Sequence, residues 1–585
     1  MASAALAILF ISAITGSPPT VAQTTPVKPN FVFILADDMR KDDLKYMPKT
    51  RDLLGAQGMQ FANAFVTNPL CCPSRATIMR GQYAHNTGVW TNTPGPDGAW
   101  QGYKNHGNEQ DNIATRFHGA GYRTGLFGKY FNDYDGSTVP PGWDDWFGVP
   151  SGTGVFNYYV NDNGTQKFFG NSESDYATDV LSRETQSFID ASVVANKPFL
   201  AYVAPKPPHE PAVPAPRHQH AFDGEKAPRL PSFNESDVSD KPPSIQSLPV
   251  LSPTQIAEID AHHEKRVESL QSVDDLVEAV VNKLQNVGAL NTTYVVFTSD
   301  NGWHHGEHRI KSGKAKPYEE SIRMPLLVRG PGVQAGTTTD KLTLNTDFFP
   351  TFTDLAGVTT PEYVDGRSLR PVLEGSATTW RTAILLEIRP SILGIRTSDG
   401  RKYIEYGDGF KEYYDLKADP NELRNLVYYG EVSPAALASR LQALKGCSGD
   451  ACRTAEGATD TTTPPPPPPD TAPSVISTSP AANATGVAPS ANVTATFSEA
   501  MMSSSINGTT FKLFKKGSTT KIGAAVSYDT STRTAKLDPT NNLRLGTTYK
   551  AVVTTGAKDM ASNQLDQNTT TSGLQQKAWT FTVRN

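Results

Sequence analysis

Two apolar runs in this sequence stop abruptly on acidic residues. Phe31-Val32-Phe33-Ile34-Leu35-Ala36 ends at Asp37-Asp38, and Tyr294-Val295-Val296-Phe297-Thr298-Ser299 ends at Asp300-Asn301-Gly302. In open α/β sheets, functional groups gather at the carboxyl ends of strands. If the two runs are neighbouring strands, three carboxylates and one amide oxygen meet there. Such a cluster repels itself unless a cation sits in it. All four are hard oxygen donors, which favours Ca²⁺ or Mg²⁺ over zinc. Taken singly, each Asp is more often a strand-terminal cap or a turn residue; the repeated pattern is what points to a metal. Another acidic pair, Asp274-Asp275, lies inside a long helical pattern, where a solvated helix face accounts for it.

The second stretch that can do chemistry is Asn68-Pro69-Leu70-Cys71-Cys72-Pro73-Ser74-Arg75-Ala76-Thr77-Ile78-Met79-Arg80-Gly81. Pro73 suits the first turn of a helix that Ser74 to Arg80 can continue. Both cysteines then sit at a helix N-terminus, where partial positive charge favours anions. Arg75 adds a fixed cation. Neighbouring cysteines rarely bridge each other. The bland alternative is a small buried hydrophobe, whereas the charge setting predicts a low-pKa, reactive thiol.

The elements that must position these groups are legible as patterns. A chain of 585 residues exceeds one ordinary core, so two or more domains are expected. Residues 28–455 alternate β-rich runs with helical ones, which argues for a layered α/β domain. Its best strands are Asn30–Ala36, Arg123–Phe127, Pro198–Ala204 and Thr292–Ser299. A long amphipathic helix covers Pro253–Val287, with Ile256, Ile259, Val267, Leu270, Val273, Val277, Val280, Val281 and Leu284 as its stripe. Residues 380–430 read as short strands and turns. Pro464 through Pro469 form a stiff polyproline stretch of about 20 Å. Beyond it, runs such as Val493–Phe497 and Thr548–Val553 alternate between Gly, Asn, Asp and Ser, which suggests an all-β sandwich with no ionisable cluster.

Composition and termini bound the setting. The net charge is −5 with no basic stripe, which speaks against a nucleic-acid partner. An anionic substrate would therefore need positive charge focused in a pocket. Ala4 to Ile11 form the apolar centre of an export leader, with a cut after Ala22. No other apolar run is long enough to span a bilayer. Cys447 and Cys452 frame a six-residue stretch, and a small disulfide loop there fits export.

The Cys71 stretch resembles a family signature: Cys-x-Pro-Ser-Arg, then Ala-Thr-x-x-x-x-Gly, is similar to that of the sulfatases. Gly81-Gln82-Tyr83-Ala84-His85-Asn86-Thr87-Gly88-Val89 is similar to its continuation. The resemblance covers residues 28–455 in order and implies the following. The fold is an alkaline-phosphatase-like α/β sandwich with a small C-terminal sheet subdomain at 380–455. Cys71 is oxidised to formylglycine by a formylglycine-generating enzyme, with Cys72 at the variable position. Asp37, Asp38, Asp300 and Asn301 match the Ca²⁺ ligands, completed by the modified Cys71. Lys129 in Gly128-Lys129-Tyr130 and Lys314, four residues before Tyr318-Glu319, match the two sulfate-binding lysines. His209 in Pro207-Pro208-His209 matches the active-site histidine. Tyr414-Asp415-Leu416 through Asn425-Leu426 looks like the C-terminal subdomain.

The implied reaction is hydrolysis of a sulfate ester on a sulfated sugar or aryl alcohol. One hydroxyl of the aldehyde hydrate attacks sulfur, Arg75, Lys129 and Lys314 offset charge on the sulfate oxygens, and His209 is placed to interact with, or protonate, the leaving oxygen. One position departs from the common pattern. Many sulfatases carry a histidine, taken as a base, where this chain has Phe131. Gly128-Lys129-Tyr130-Phe131-Asn132 is similar to the N-acetylglucosamine-6-sulfatase branch, whose setting is glycosaminoglycan degradation; Asn132 is then placed to bind the hydrate. His304 and His305 are candidates for the pocket rim, with surface or structural roles as the alternative for His305, while His262 and His263 read as bland. Relatives of the same fold include phosphonate and phosphodiester hydrolases, and a non-catalytic carbohydrate-binding surface protein is the rival from another class. Ser479-Pro480 through Gly486-Val487 and Ala495-Thr496-Phe497-Ser498-Glu499 resemble bacterial Ig-like domains, for which no partner is implied. The expected organisation is a leader at 1–22, the sulfatase domain at 28–455, a Pro-rich linker at 456–472 and the Ig-like sandwich at 473–585, in a secreted, cell-surface or periplasmic bacterial protein.

Overall fold

A computed structural model describes residues 28–457 and 472–585, apart from 531, 560–562 and 569–572. The expected leader and all but the edges of the linker lie outside the described residues. Among the described residues, no helix is long and apolar enough to cross a membrane.

Ten strands form the main sheet: β1 (Asn30–Ala36), β2 (Met59–Phe61), β3 (Arg123–Lys129), β4 (Asp145–Val149), β5 (Tyr158–Asp162), β6 (Thr165–Phe169), β7 (Phe199–Ala204), β8 (Thr293–Ser299), β9 (Leu326–Arg329) and β10 (Thr337–Thr339). Their spatial order is β10-β2-β9-β8-β1-β7-β3-β4-β5-β6. The centre, from β8 through β4, is parallel, and antiparallel pairs flank it.

Strand periodicity explains the layering. Phe31, Phe33 and Leu35 of β1 enter one core, shared with helices α1 (Cys71–Arg80) and α4 (Phe348–Ala356). Val32, Ile34 and Ala36 enter the other, under α2 (Ala177–Val194) and α3 (Pro253–Asn286). A period of two thus buries both faces of the sheet. Helix α3 begins where Ser252 caps Gln255 N and Pro253 takes the first turn, and it ends one residue short of the expected Val287. Helix α1 ends at Gly81 with φ 66°. A Cβ there would lie 2.9 Å from Val364 Cγ1, so both conformation and space call for glycine.

The acidic pair on α3 corrects the solvated-face expectation. Asp274 is buried and accepts the backbone N–H groups of Lys49 (3.1 Å) and Thr50 (2.7 Å), while Asp275 binds Lys49 and His218. The chain at 48–50 packs on that face and supplies donors that water would otherwise provide.

Four antiparallel strands, β11 (Ala383–Arg389), β12 (Ile392–Thr397), β13 (Arg401–Tyr406) and β14 (Lys411–Asp415), form the small sheet expected at 380–430. Cys447 and Cys452 form a disulfide beside it. Residues 475–583 form two four-stranded sheets around their own apolar core of Val493, Phe497, Leu513, Trp579, Phe581 and neighbours.

Charged side chains join the small sheet to the main domain: Arg396 of β12 and Lys402 of β13 reach Glu319 at 3.0 and 3.3 Å. Glu422 contacts Lys402 (2.7 Å), and Glu235 contacts His308 (2.7 Å) and Lys241 (3.3 Å). Burial pushes Glu235 up to about 8 and Glu422 up to about 7. The folded state therefore keeps protons that an unfolded glutamate releases near about 4.3, and the contribution of these two groups to stability falls as pH rises from there towards 8. Urea unfolding of the protein and of Glu235→Gln at pH 5 and pH 8 isolates that contribution: the stability of the unsubstituted protein relative to the variant is expected to be lower at pH 8 than at pH 5.

Candidate active site

The strand order places the singled-out residues in a row. Ala36 pairs with Ser299, so Asp37-Asp38 and Asp300-Asn301 leave adjacent strands side by side. Lys129 ends β3, and His209 follows β7 on a turn bridged to Asp37 through Pro208. Helix α1 brings in Cys71 as its first residue. Leu70 supplies no side-chain cap; Asn92 Oδ1 instead accepts the Cys72 N–H at 2.8 Å.

These groups converge. Asp37, Asp38, Cys71 and His209 offer ligand atoms within 4.8 Å of one another. Cys71 Sγ lies 3.4 Å from Asp37 Oδ1 and 4.0 Å from Asp38 Oδ1. Lys129 Nζ donates to Asp37 Oδ2 at 2.5 Å. Lys314 Nζ donates to Asp38 Oδ1 and lies 2.8 Å from Cys71 Sγ. Arg75 binds Asp300 Oδ2 at 2.9 Å, with Asp37 Oδ2 3.8 Å away. His209 Nε2 is 3.7 Å from Asp38 Oδ2, and with 30% of its side chain exposed it stands at the mouth.

Electrostatics within the cluster are tightly balanced. Burial raises the Asp37 carboxyl, but Lys129, His209, Arg75 and Lys314 outweigh it and hold the group well below its usual range. Asp38 is lowered in the same way, chiefly by Lys314 against burial. Asp300, buried and facing Asp37, is raised despite Arg75. Three carboxylates thus meet three fixed cations.

The donor set suits a hard cation. Asp38 Oδ2 and Asn301 Oδ1 are buried with no hydrogen-bond partner, which is costly for oxygen atoms of this kind. Asn301 Nδ2 donates to Asp38 Oδ1 at 2.6 Å, and Asp38 N donates to Asp300 Oδ1 at 3.1 Å. Asp38 itself has φ 68°, in the left-handed region. Arg266 holds it there by donating to Asp38 O (2.5 Å) and to Pro208 O (3.0 Å).

Several expectations need correction. The Cys71 thiol is not acidified: burial and then Asp37 push it well up, against Lys129 and Lys314, while Cys72 is pushed up to about 12. Arg75, the fixed cation expected near Cys71, pairs with Asp300 and lies 3.8 Å from Asp37. Asn132 faces Cys72, not Cys71; its N–H reaches Cys72 Sγ at 3.2 Å. His304 and His305 are fully buried rather than on a rim, and His263 is buried against His305 at 3.4 Å. Phe131 stacks on Tyr103 at 4.5 Å in the core.

Sequence reasoning also missed Arg266, Asn92 and Lys206. Arg266 had a usable signal: with His263 it continues the buried stripe of α3 from Ile259 towards Leu270. Asn92 and Lys206 act through partners distant in sequence, and no local pattern marks them.

Residues 29–358 match the family model described as Sulfatase. Residues 306–445 match that of N-sulphoglucosamine sulphohydrolase, C-terminal, and 469–583 that of a bacterial Ig-like domain. An N-acetylglucosamine-6-sulfatase of Homo sapiens is 33% identical over 504 residues, covering 77% of this chain and 90% of the human protein. An extracellular sulfatase homologue of Drosophila melanogaster is 38% identical over 352 residues, covering 59% of this chain; the chain spans 31% of that protein, and 52% of a similar Caenorhabditis elegans one. A protein solved with its substrate D-glucosamine-2-N,6-O-disulfate superposes with a TM-score of 0.61 at 25% identity, over 74% of this chain and all of the other. The phosphonate monoester hydrolase of Agrobacterium radiobacter gives 0.57 at 21% identity, over 72% of this chain and 95% of its own, a likeness of fold alone. The α/β sandwich is therefore of the alkaline-phosphatase-like kind that the resemblance implied. With a family model matching more than half of its length, this chain belongs to the sulfatase family.

Proposed function

We propose that the protein is a sulfuric ester hydrolase acting on a sulfated sugar, with Cys71 oxidised to formylglycine and Ca²⁺ held by Asp37, Asp38, residue 71, Asp300 and Asn301. The observation that carries this reading is the buried meeting of Cys71 with Asp37 and Asp38 under Lys129 and Lys314. The charge count supports it. Three carboxylates balance Arg75, Lys129 and Lys314, so a divalent cation leaves a surplus of two positive charges. That surplus suits an ester sulfate and, after cleavage, a sulfate dianion. When bound, Ca²⁺ would supply Lewis-acid polarisation of an oxygen at position 71. An aldehyde hydrate there would carry two oxygens on one carbon, so that sulfate release needs no second nucleophile.

The chain's own residues then divide the work. Arg75, fixed on Asp300, and Lys129 and Lys314, resting on Asp37 and Asp38, are the donors for sulfate oxygens. Their present partners keep them charged and aimed into the cluster. His209 is the one titratable side chain among these that reaches the mouth, where a leaving alcohol oxygen would take its proton. Phe131 keeps its position apolar and offers no base.

A sugar substrate is supported by the printed names of the relatives, including N-acetylglucosamine-6-sulfatases, and by the disulfated glucosamine bound to a structural neighbour. An exported setting is supported by the disulfide at Cys447 and Cys452 and by the extracellular relatives. Formylglycine requires a formylglycine-generating enzyme as an earlier partner.

Steady-state rates on a matched aryl sulfate and aryl phosphodiester test the reaction class. The sulfate is expected to give the larger kcat/KM; faster phosphodiester turnover contradicts the proposal. Lys314→Ala is expected to lower kcat/KM for the sulfate by about 10²–10³, the usual loss when one preorganised donor is removed.

A further inference from the structure

Lys129 and Lys314 each rest on a carboxylate, but a third lysine at the same sheet edge does not. Lys206 lies just past β7, three residues before His209. Gly128 of β3 pairs with Ala204 of β7, so Lys206 leaves the sheet one residue beyond the position opposite Lys129. Neighbouring strands lie about 4.8 Å apart. Lys206 Nζ donates to the backbone oxygen of Thr153 at 2.7 Å, in the segment between β4 and β5. Among the described residues, no carboxylate pairs with it.

That arrangement is unbalanced. Lys206 is half-buried. Burial and Lys129 both disfavour its charge, and Asp37 offsets this only in part. A single carbonyl oxygen stabilises an ammonium less than a carboxylate does. The carboxylate cluster has no need of it, since Arg75, Lys129 and Lys314 already match Asp37, Asp38 and Asp300 in number. Lys206 is a surplus cation at the edge of an anion site, just past the strand next to the one that carries Lys129, a lysine aimed at the reacting group.

We infer that Lys206 is a substrate-binding residue that pairs with a second anionic group, sulfate or carboxylate, carried by the sugar beside the scissile ester. The inference rests on the hydrolase reading of the cluster and adds to it a substrate class: sugars bearing more than one negative charge. A purely structural role, pinning the segment at Thr153, would need only the N–H donor. Lys206→Gln keeps a donor and removes the charge; Lys206→Arg keeps the charge.

Calorimetric binding to the full chain with Ca²⁺, in a Cys71→Ala background so that no ligand is consumed, tests this. The ligands are N-acetylglucosamine 6-sulfate, N-sulfoglucosamine 6-sulfate, and a 6-sulfated N-acetylglucosamine linked to a uronate. At least one doubly charged ligand is expected to bind about tenfold more tightly than the singly charged one. The arm that shows this preference identifies the second anion as sulfate or carboxylate. Lys206→Gln abolishes the preference, Lys206→Arg retains it, and added salt weakens it. A preference that persists in Lys206→Gln, an equal loss on all three ligands, or no preference in the unsubstituted residue-206 protein overturns the inference. Because these titrations read binding, a failure of the protein to release sulfate would count against the hydrolase reading alone.

Discussion

Asp37, Asp38 and Asp300 are buried together at the ends of two adjacent strands, and like charges so placed stay ionised only when opposite charge is fixed beside them. Arg75, Lys129 and Lys314 provide it, and each comes from a different element. Arg75 requires α1 to dock on the sheet, Lys129 requires β3 to lie two strands from β1, and Lys314 requires the segment after β8 to fold back over the cluster. The sheet order, the docking of α1 and the path of that segment are thus coupled to one electrostatic balance. Removing any one cation leaves a buried carboxylate uncompensated.

The same balance explains why Cys71 is a poor thiolate. Reading the helix N-terminus and Arg75 alone predicts an acidified thiol. The carboxylates arrive from strands some 35 and 230 residues away in sequence, and with burial they reverse the sign. A thiol that is hard to ionise is a weak nucleophile as it stands, which fits its reading as the precursor of a different group. The two orphaned oxygens, Asp38 Oδ2 and Asn301 Oδ1, likewise fit a cluster built around a cation rather than around sulfur.

Much of this was legible in the sequence because it is local. Apolar runs that stop on Asp37-Asp38 and Asp300-Asn301 mark strand ends, and β1 has the expected bounds. The period of α3 located its start at Pro253 and its end within one residue. What the sequence hid depends on partners. Asp274 looks solvated until the chain at 48–50 is packed on it. Asn92 caps α1 from twenty residues away, and Lys206 stands out only once its neighbours are known to lack a carboxylate for it. His263 and Arg266 fall in the helical period, but both are polar and stand outside its apolar stripe. Burial prevailed because each found a partner: His305 for His263, and the backbone oxygens of Asp38 and Pro208 for Arg266.

The central claim is that the buried charge cluster serves an oxidised residue 71. Peptide mass spectrometry across Cys71, on protein purified from its native producer and shown to release sulfate, tests it most directly. The account predicts that the peptide carries the aldehyde or its hydrate in place of the thiol. An unmodified thiol at residue 71 in fully active protein would contradict it.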